Sequence, residues 1–230
     1  MGFFDVATAS VTTILRGGLG LRTGAVGARP KERLVLYEFE GCPFCRKARE
    51  ALSILDLEAE IRPCPKRGTR YRDELVERGG KAQFPYLIDP NTGREMYESG
   101  DIVDYLYAEY GRGDAPVMLG GSAPATVAVA LSGLGRGSAG SFVRPSQPPA
   151  KPLELYSFEA SPFCRLVRER LCELELRYVL HNVARGSARR DAFVERSGKM
   201  QVPYLADPNT GIEMFESADI LAYLDDTYGA

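Results

Sequence analysis

Two cysteines three residues apart, Cys42 and Cys45, are the side chains of this sequence best suited to do chemistry. They enclose Pro43 and Phe44, and a β-prone, alternating run from Leu34 to Phe39 leads into them. Pro43 is favoured in a first helical turn, and Ala48, Leu52 and Leu55 then recur at helical spacing, so the pair stands where a strand hands over to a helix. Unsatisfied backbone N–H groups and the positive helix end favour a thiolate there, which makes Cys42 the candidate nucleophile. Cys45 lies one helical turn on, within reach to resolve a mixed disulfide by thiol exchange. The same pair also reads as thiols that merely pack, or as half of a metal site. No second cysteine pair or histidine cluster is present to complete a zinc site, His181 being the only histidine, and no metal is expected.

The elements that position these cysteines occur twice. Leu34 to Cys45 returns as Leu153 to Cys164, Phe84 to Gly93 returns as Val202 to Gly211, and Met96 to Ile102 returns as Met214 to Ile220. In the first copy a strand at Leu34 to Phe39 precedes a helix from Pro43, a strand at Glu60 to Arg62 and a helix at Tyr71 to Arg78. A hairpin follows, Gln83 to Ile88 and Arg94 to Tyr97 around a Gly-containing turn at Asp89 to Gly93. A last helix from about Ser99 to Tyr110 buries Ile102, Val103 and Leu106. This β-α-β-α-β-β-α order predicts an α/β chain of two tandem thioredoxin-type domains, at 33–111 and 152–230. An N-terminal segment at 1–32 and a linker at 112–151 complete the division. Each is expected to carry a short extra helix, near Val6 to Leu15 and at Pro124 to Leu131, covering apolar domain surface. The segment from Ile14 to Leu19 loosely mirrors Leu131 to Arg136, as if each copy had its own leading helix.

Composition narrows the partners. A net charge of −2 lacks the basic surplus that phosphate neutralisation requires, so nucleic acid is excluded as the expected partner. No apolar run reaches the roughly 20 residues of a membrane span. The five cysteines form no even secreted framework, which points to reduced, cytoplasmic thiols. Cys172 is expected to face the core, and Cys64, between two prolines, is a candidate third redox participant.

A strand entering Cys42-Pro-Phe-Cys45, an x-Pro-Tyr-Leu step at Pro85 and Glu-Ser-x-x-Ile at Glu98 together resemble glutaredoxins and the N-terminal domain of glutathione S-transferases. The doubled form, with Asp-Pro-Asn-Thr-Gly in both copies, most resembles the tandem thioredoxin-like proteins of plant plastids. The resemblance covers about 200 of the 230 residues. It implies glutathione as co-substrate and cis peptide bonds before Pro85 and Pro203, with the backbone of Phe84 or Val202 pairing with the cysteinyl part of glutathione. It places the γ-glutamyl end at Glu98 and Ser99, or Glu216 and Ser217, assisted by Asp101 or Asp219, where a helix N-terminus suits a carboxylate. A helix-capping role for the serines is the alternative. Lys81 and Gln83, or Lys199 and Gln201, are the candidates for the glycyl carboxylate, with Pro43, Phe44, Phe163 and Cys164 lining the sites.

Copy two replaces the leading cysteine by Ser161, which the resemblance allows as an activating hydroxyl and which degeneration to a scaffold also explains. The leading functional expectation is a glutathione-linked thiol-disulfide oxidoreductase acting on small-molecule or protein disulfides. The alternatives are a conjugating transferase and a non-enzymatic module that binds glutathione, an iron–sulfur centre or a protein partner as an intramolecular pseudo-dimer.

Overall fold

In the computed structural model the described residues are 3–120, 136 and 138–230. The expected linker helix at Pro124 to Leu131 lies outside them. The first copy contains β1 (Leu34–Glu38), α2 (Pro43–Ile54), β2 (Ala59–Pro63), α3 (Arg70–Gly79), β3 (Tyr86–Asp89), β4 (Arg94–Met96) and α4 (Ser99–Tyr110), preceded by α1 (Phe3–Leu15). The second repeats the order as β5 (Leu153–Ser157), α5 (Pro162–Glu173), β6 (Tyr178–Asn182), α6 (Arg190–Ser197), β7 (Tyr204–Asp207), β8 (Ile212–Met214) and α7 (Ser217–Tyr228). The structure is the doubled α/β fold that the motif order implied.

All strands join one sheet in the order β4-β3-β1-β2-β6-β5-β7-β8. Within a copy β1 runs parallel to β2 and antiparallel to β3, leaving β2 as an edge. An open edge presents unpaired N–H and C=O groups, and here β2 closes its edge on β6, its own counterpart. The pairing is antiparallel and centred on Glu60 opposite Val179, with Ala59 opposite Leu180 and Ile61 opposite Tyr178, so the copies meet about a local twofold axis. One buried cluster runs under both halves, from Leu36, Leu52 and Leu106 to Leu155, Leu171 and Leu224. Smaller clusters fill the opposite face, around Tyr37, Tyr71 and Tyr86 in one copy and Phe193 and Tyr204 in the other.

The segments leading into each copy cross to the other. Helix α1 packs on α5, where the Thr13 hydroxyl donates to the Ala160 carbonyl at 3.0 Å; beyond it the Thr23 N–H donates to the Arg185 carbonyl at 2.9 Å and the Arg185 N–H to the Leu21 carbonyl at 3.0 Å. Reciprocally, residues 138–143 lie on the first copy: Gly41 donates to Gly140 at 3.2 Å and Lys66 to Ser141 at 2.6 Å. A Cβ on Gly41 would lie 2.0 Å from the Ser141 hydroxyl, so a larger residue there would force Ser141 to turn away.

At the far end of the sheet, Asp89 and Asp207 tie the hairpin turn to the last helix. The Asp89 carboxylate accepts from the hydroxyls of Tyr105 and Tyr110 and from the Asn91 backbone, and Asp207 does the same with Tyr223, Tyr228 and Asn209. Burial alone would raise the Asp89 pKa, but these donors prevail and hold it below the usual carboxylate range. A depressed native value stabilises the fold above the unfolded pKa of about 4 and is lost as pH falls through the native value. Asp89→Ala should therefore cost about 2–3 kcal/mol at neutral pH by denaturant unfolding, a difference that shrinks on acidification.

Candidate functional site

Strand β1 delivers the chain to Cys42, whose φ of −80° and ψ of 119° are extended, and Pro43 opens α2 behind it. Cys42 is thereby the helix N-cap, and its sulfur accepts the Cys45 N–H at 3.3 Å. The adjoining Cys45 thiol and the N–H groups of Cys45 and Phe44 outweigh burial and lower the Cys42 pKa. Burial, followed by the bond to Cys42, pushes the Cys45 thiol well above its ordinary value. The two thiols are thus shifted in opposite directions. Cys42 keeps 5% of its surface exposed whereas Cys45, Cys64 and Cys164 keep none, so a reagent from solvent reaches Cys42 first.

The register of β3 on β1, Tyr86 opposite Tyr37, carries Pro85 and Phe84 alongside Glu38 and Phe39. The Phe84–Pro85 and Val202–Pro203 peptide bonds are both cis. The Phe84 ring meets Phe39 edge-on at 5.9 Å, and the Arg72 guanidinium lies over Phe84 at 4.6 Å while donating to the Pro65 carbonyl at 2.6 Å. Phe44 is exposed beside Cys42. Glu98 precedes α4 with φ of +64°, a left-handed conformation rare for a non-glycine residue and of the kind that gathers at binding sites. Gln83 donates to the Glu98 carboxylate, and Ser99 is buried as the first residue of α4. Lys81 instead lies over the Tyr97 ring at 4.5 Å, and Asp101 is exposed.

Copy two keeps the frame and carries a serine in place of the leading cysteine. Ser161 has the same backbone conformation as Cys42, and its hydroxyl accepts the Cys164 N–H at 3.2 Å as a serine cap does. Cys164, expected along the ligand surface, is fully buried and burial raises its pKa, so its sulfur offers nothing to a ligand there. Phe163 is exposed like Phe44, Gln201 donates to Glu216, whose φ is +65°, and Ser217 is buried at the start of α7. Lys199 lies over Phe215 at 4.3 Å, and Asp219 is exposed. Cys64 is no surface participant either: it is fully buried, and burial drives its pKa well above the thiol range. Cys172 is buried as expected, its sulfur accepting the Glu40 N–H at 3.4 Å.

Sequence reasoning passed over Glu38, Glu40, Arg49, Glu159 and Arg168, all buried between the copies. Arg49 binds Glu38 and reaches across to Glu159 at 3.1 Å and to Glu40 at 3.2 Å; Arg168 reaches back to Glu40 at 3.0 Å and Glu159 at 3.0 Å. A signal was present in the repeat itself, since Arg46, Arg49 and Glu50 of the first copy recur as Arg165, Arg168 and Glu169. Among the described residues no group of three or more His, Cys, Asp or Glu is arranged to hold a metal, and no helix is long and apolar enough to cross a membrane.

A family model described as glutathione S-transferase, N-terminal domain, matches residues 36–116 and again residues 155–230. No curated protein and no solved structure matches the chain. The thiol geometry has a direct check. Alkylation of the reduced, native chain should label Cys42 alone, with a rate midpoint below the ordinary thiol value of about 8.5, and the other four cysteines only after unfolding, as read by peptide mass mapping.

Proposed function

The chain belongs, in both its halves, to the glutathione S-transferase N-terminal-domain family, and from that premise we propose that it is a glutathione-linked thiol-disulfide oxidoreductase. The observation that carries the reading is the contrast between two neighbouring thiols, Cys42 capping the helix with a lowered pKa and a trace of exposed surface, and Cys45 fully buried with a raised one. Conjugation to an electrophile has no use for the second thiol, whereas disulfide exchange does.

In this reading the Cys42 thiolate attacks a disulfide and forms a mixed disulfide, which Cys45 or glutathione then resolves. Glutathione lies along the loop before β3, its cysteinyl backbone beside Phe84 and its γ-glutamyl carboxylate at the N-terminus of α4 by Glu98 and Ser99. Gln83 and Lys81 face its glycyl end, and Phe44 and Pro43 flank the sulfur. The unit at 33–111 does the chemistry. The unit at 152–230 acts with it as an intramolecular pseudo-dimer, with Ser161 serving as a cap. Five free thiols suit a reducing compartment such as the cytoplasm.

Reduction of a glutathione mixed disulfide, followed in a coupled assay, tests the proposal. Cys42→Ser should abolish turnover, while Cys45→Ser should retain glutathione-dependent turnover and lose the ability to close an internal disulfide. A wild-type chain that leaves mixed disulfides intact but conjugates electrophiles would overturn it.

A further inference from the structure

A charge taken out of water needs an opposite charge beside it, and the two copies meet that requirement unequally. In copy one Arg16, Arg46, Lys47 and Glu50 are each 3% exposed or less. Arg16 binds the Glu50 carboxylate through Nη2 at 2.6 Å and through Nε at 3.1 Å, and Arg46 shares the same carboxylate through Nε at 3.0 Å. Lys47 donates to the Gly120 carbonyl at 3.0 Å, and Arg16 Nη2 also reaches the Met118 carbonyl at 3.0 Å. Carbonyl oxygens satisfy hydrogen bonds without cancelling charge. Three buried cations are therefore gathered about one carboxylate.

Copy two has the same arrangement in balanced form. Arg136 and Arg165 bind Glu169 through Nε at 3.0 Å each, as Arg16 and Arg46 bind Glu50. Their Nη1 atoms are taken up by α1: that of Arg136 by the Asp5 carboxylate at 3.3 Å and the Thr8 hydroxyl at 2.8 Å, that of Arg165 by the Thr12 hydroxyl at 2.7 Å. Leu166 stands at the position of Lys47, so two cations meet two carboxylates. In copy one the same two atoms, Arg16 Nη1 and Arg46 Nη1, are buried with no hydrogen-bond partner among the described residues. Residues 121–135 contain no Asp or Glu that could supply the missing charge. Arg46 lies 3.8 Å from Glu159 and Arg165 3.9 Å from Glu40, so the cluster on the twofold axis touches both copies alike and leaves the difference standing.

We propose that Arg16, Arg46 and Lys47 form a binding site for a small inorganic anion, a halide or an oxyanion such as phosphate, which supplies in copy one the counter-charge that Asp5 supplies in copy two. The donor set fits such a ligand, since two guanidinium groups, each with an uncommitted Nη1, and an ammonium offer N–H donors and positive charge alone. Burial and the neighbouring Arg16 lower the Lys47 pKa against the pull of Glu50, the direction expected where cations outnumber carboxylates. The anion joins three parts of the chain: the turn after α1 that carries Arg16, helix α2, and the segment whose Met118 and Gly120 carbonyls meet the same cations. The site is independent of the thiol chemistry proposed above, because neither Cys42 nor Cys45 takes part in it.

Denaturant unfolding of the full chain, with chloride or phosphate replacing the bulkier gluconate at constant ionic strength, tests the site. At least one of the two anions should raise the wild-type midpoint along a saturating curve, the unfolding constant falling on the order of tenfold when the anion stands at about ten times its dissociation constant. The comparison of the two curves tells a halide site from an oxyanion site. Lys47→Leu, which places in copy one the side chain that copy two carries at Leu166, should still fold and should bind the anion on the order of tenfold more weakly. Arg136→Met, in the balanced copy, should leave the anion dependence as it is in the wild type. A wild type indifferent to both anions, or a dependence that Lys47→Leu leaves intact, overturns the proposal.

Equilibrium dialysis of the folded wild type against radiolabelled chloride, and separately against radiolabelled phosphate, provides a reading that depends on no variant. Retention of about one anion per chain, displaced by an excess of the unlabelled anion and absent from the unfolded chain, is expected. Retention of neither overturns the proposal, the excess charge then being removed by loss of the Lys47 proton.

Discussion

The ion cluster at the pseudo-twofold axis constrains the whole molecule. Arg49 and Arg168 are each 1% exposed, and Glu40 and Glu159 are 2% and 5% exposed. Charges at such depth are tolerated only when paired, because transfer from water costs several kcal/mol per ion before any partner is found. The pairing is crosswise: each arginine binds carboxylates on the loops before both long helices. Removing one copy would take from each arginine its carboxylate across the axis, and removing one partner from a buried pair typically costs about 3–5 kcal/mol. Apolar side chains of the same volume often stabilise such a site as well or better, so the cluster adds little net stability for its burial.

The remaining features of the interface follow the same reciprocity. The β2–β6 ladder closes both sheet edges, and the leading segment of each copy braces the helix-entry loop of the other. Gly41, one residue before the nucleophile, lies against Ser141 of the second copy's leading segment, so the placement of Cys42 depends on residues about 100 positions away. The N-cap geometry is consequently held from both sides, by the helix it opens and by a strap from the other half.

Duplication followed by divergence explains the asymmetry of the halves. Both retain the cis-proline loop, the left-handed residue before the last helix and the tyrosine-bound aspartate. They differ at Cys42 against Ser161 and at Glu38 against Ser157. Arg168 still reaches the Ser157 hydroxyl at 3.4 Å, occupying the place where Arg49 meets Glu38. The second half keeps the arginine and has serines where the first has the acid and the leading cysteine.

The repeat, the strand and helix order, the helix-capping cysteine and both hairpin turns were legible in the sequence, because each is set by neighbours within a few residues: Pro43 starts a helix, and Gly93 or Gly211 completes a turn. Cys42 could be singled out for the same reason. The buried acids and arginines could not, since hydropathy patterning assigns Arg46, Arg49 and Glu50 to a solvated helix face. They are buried because partners 110 and 128 positions away supply the opposite charges, as Glu159 does for Arg49 and Glu40 for Arg168. Local sequence determines which cysteine caps the helix; only the docking of two distant copies decides which charges lose their water.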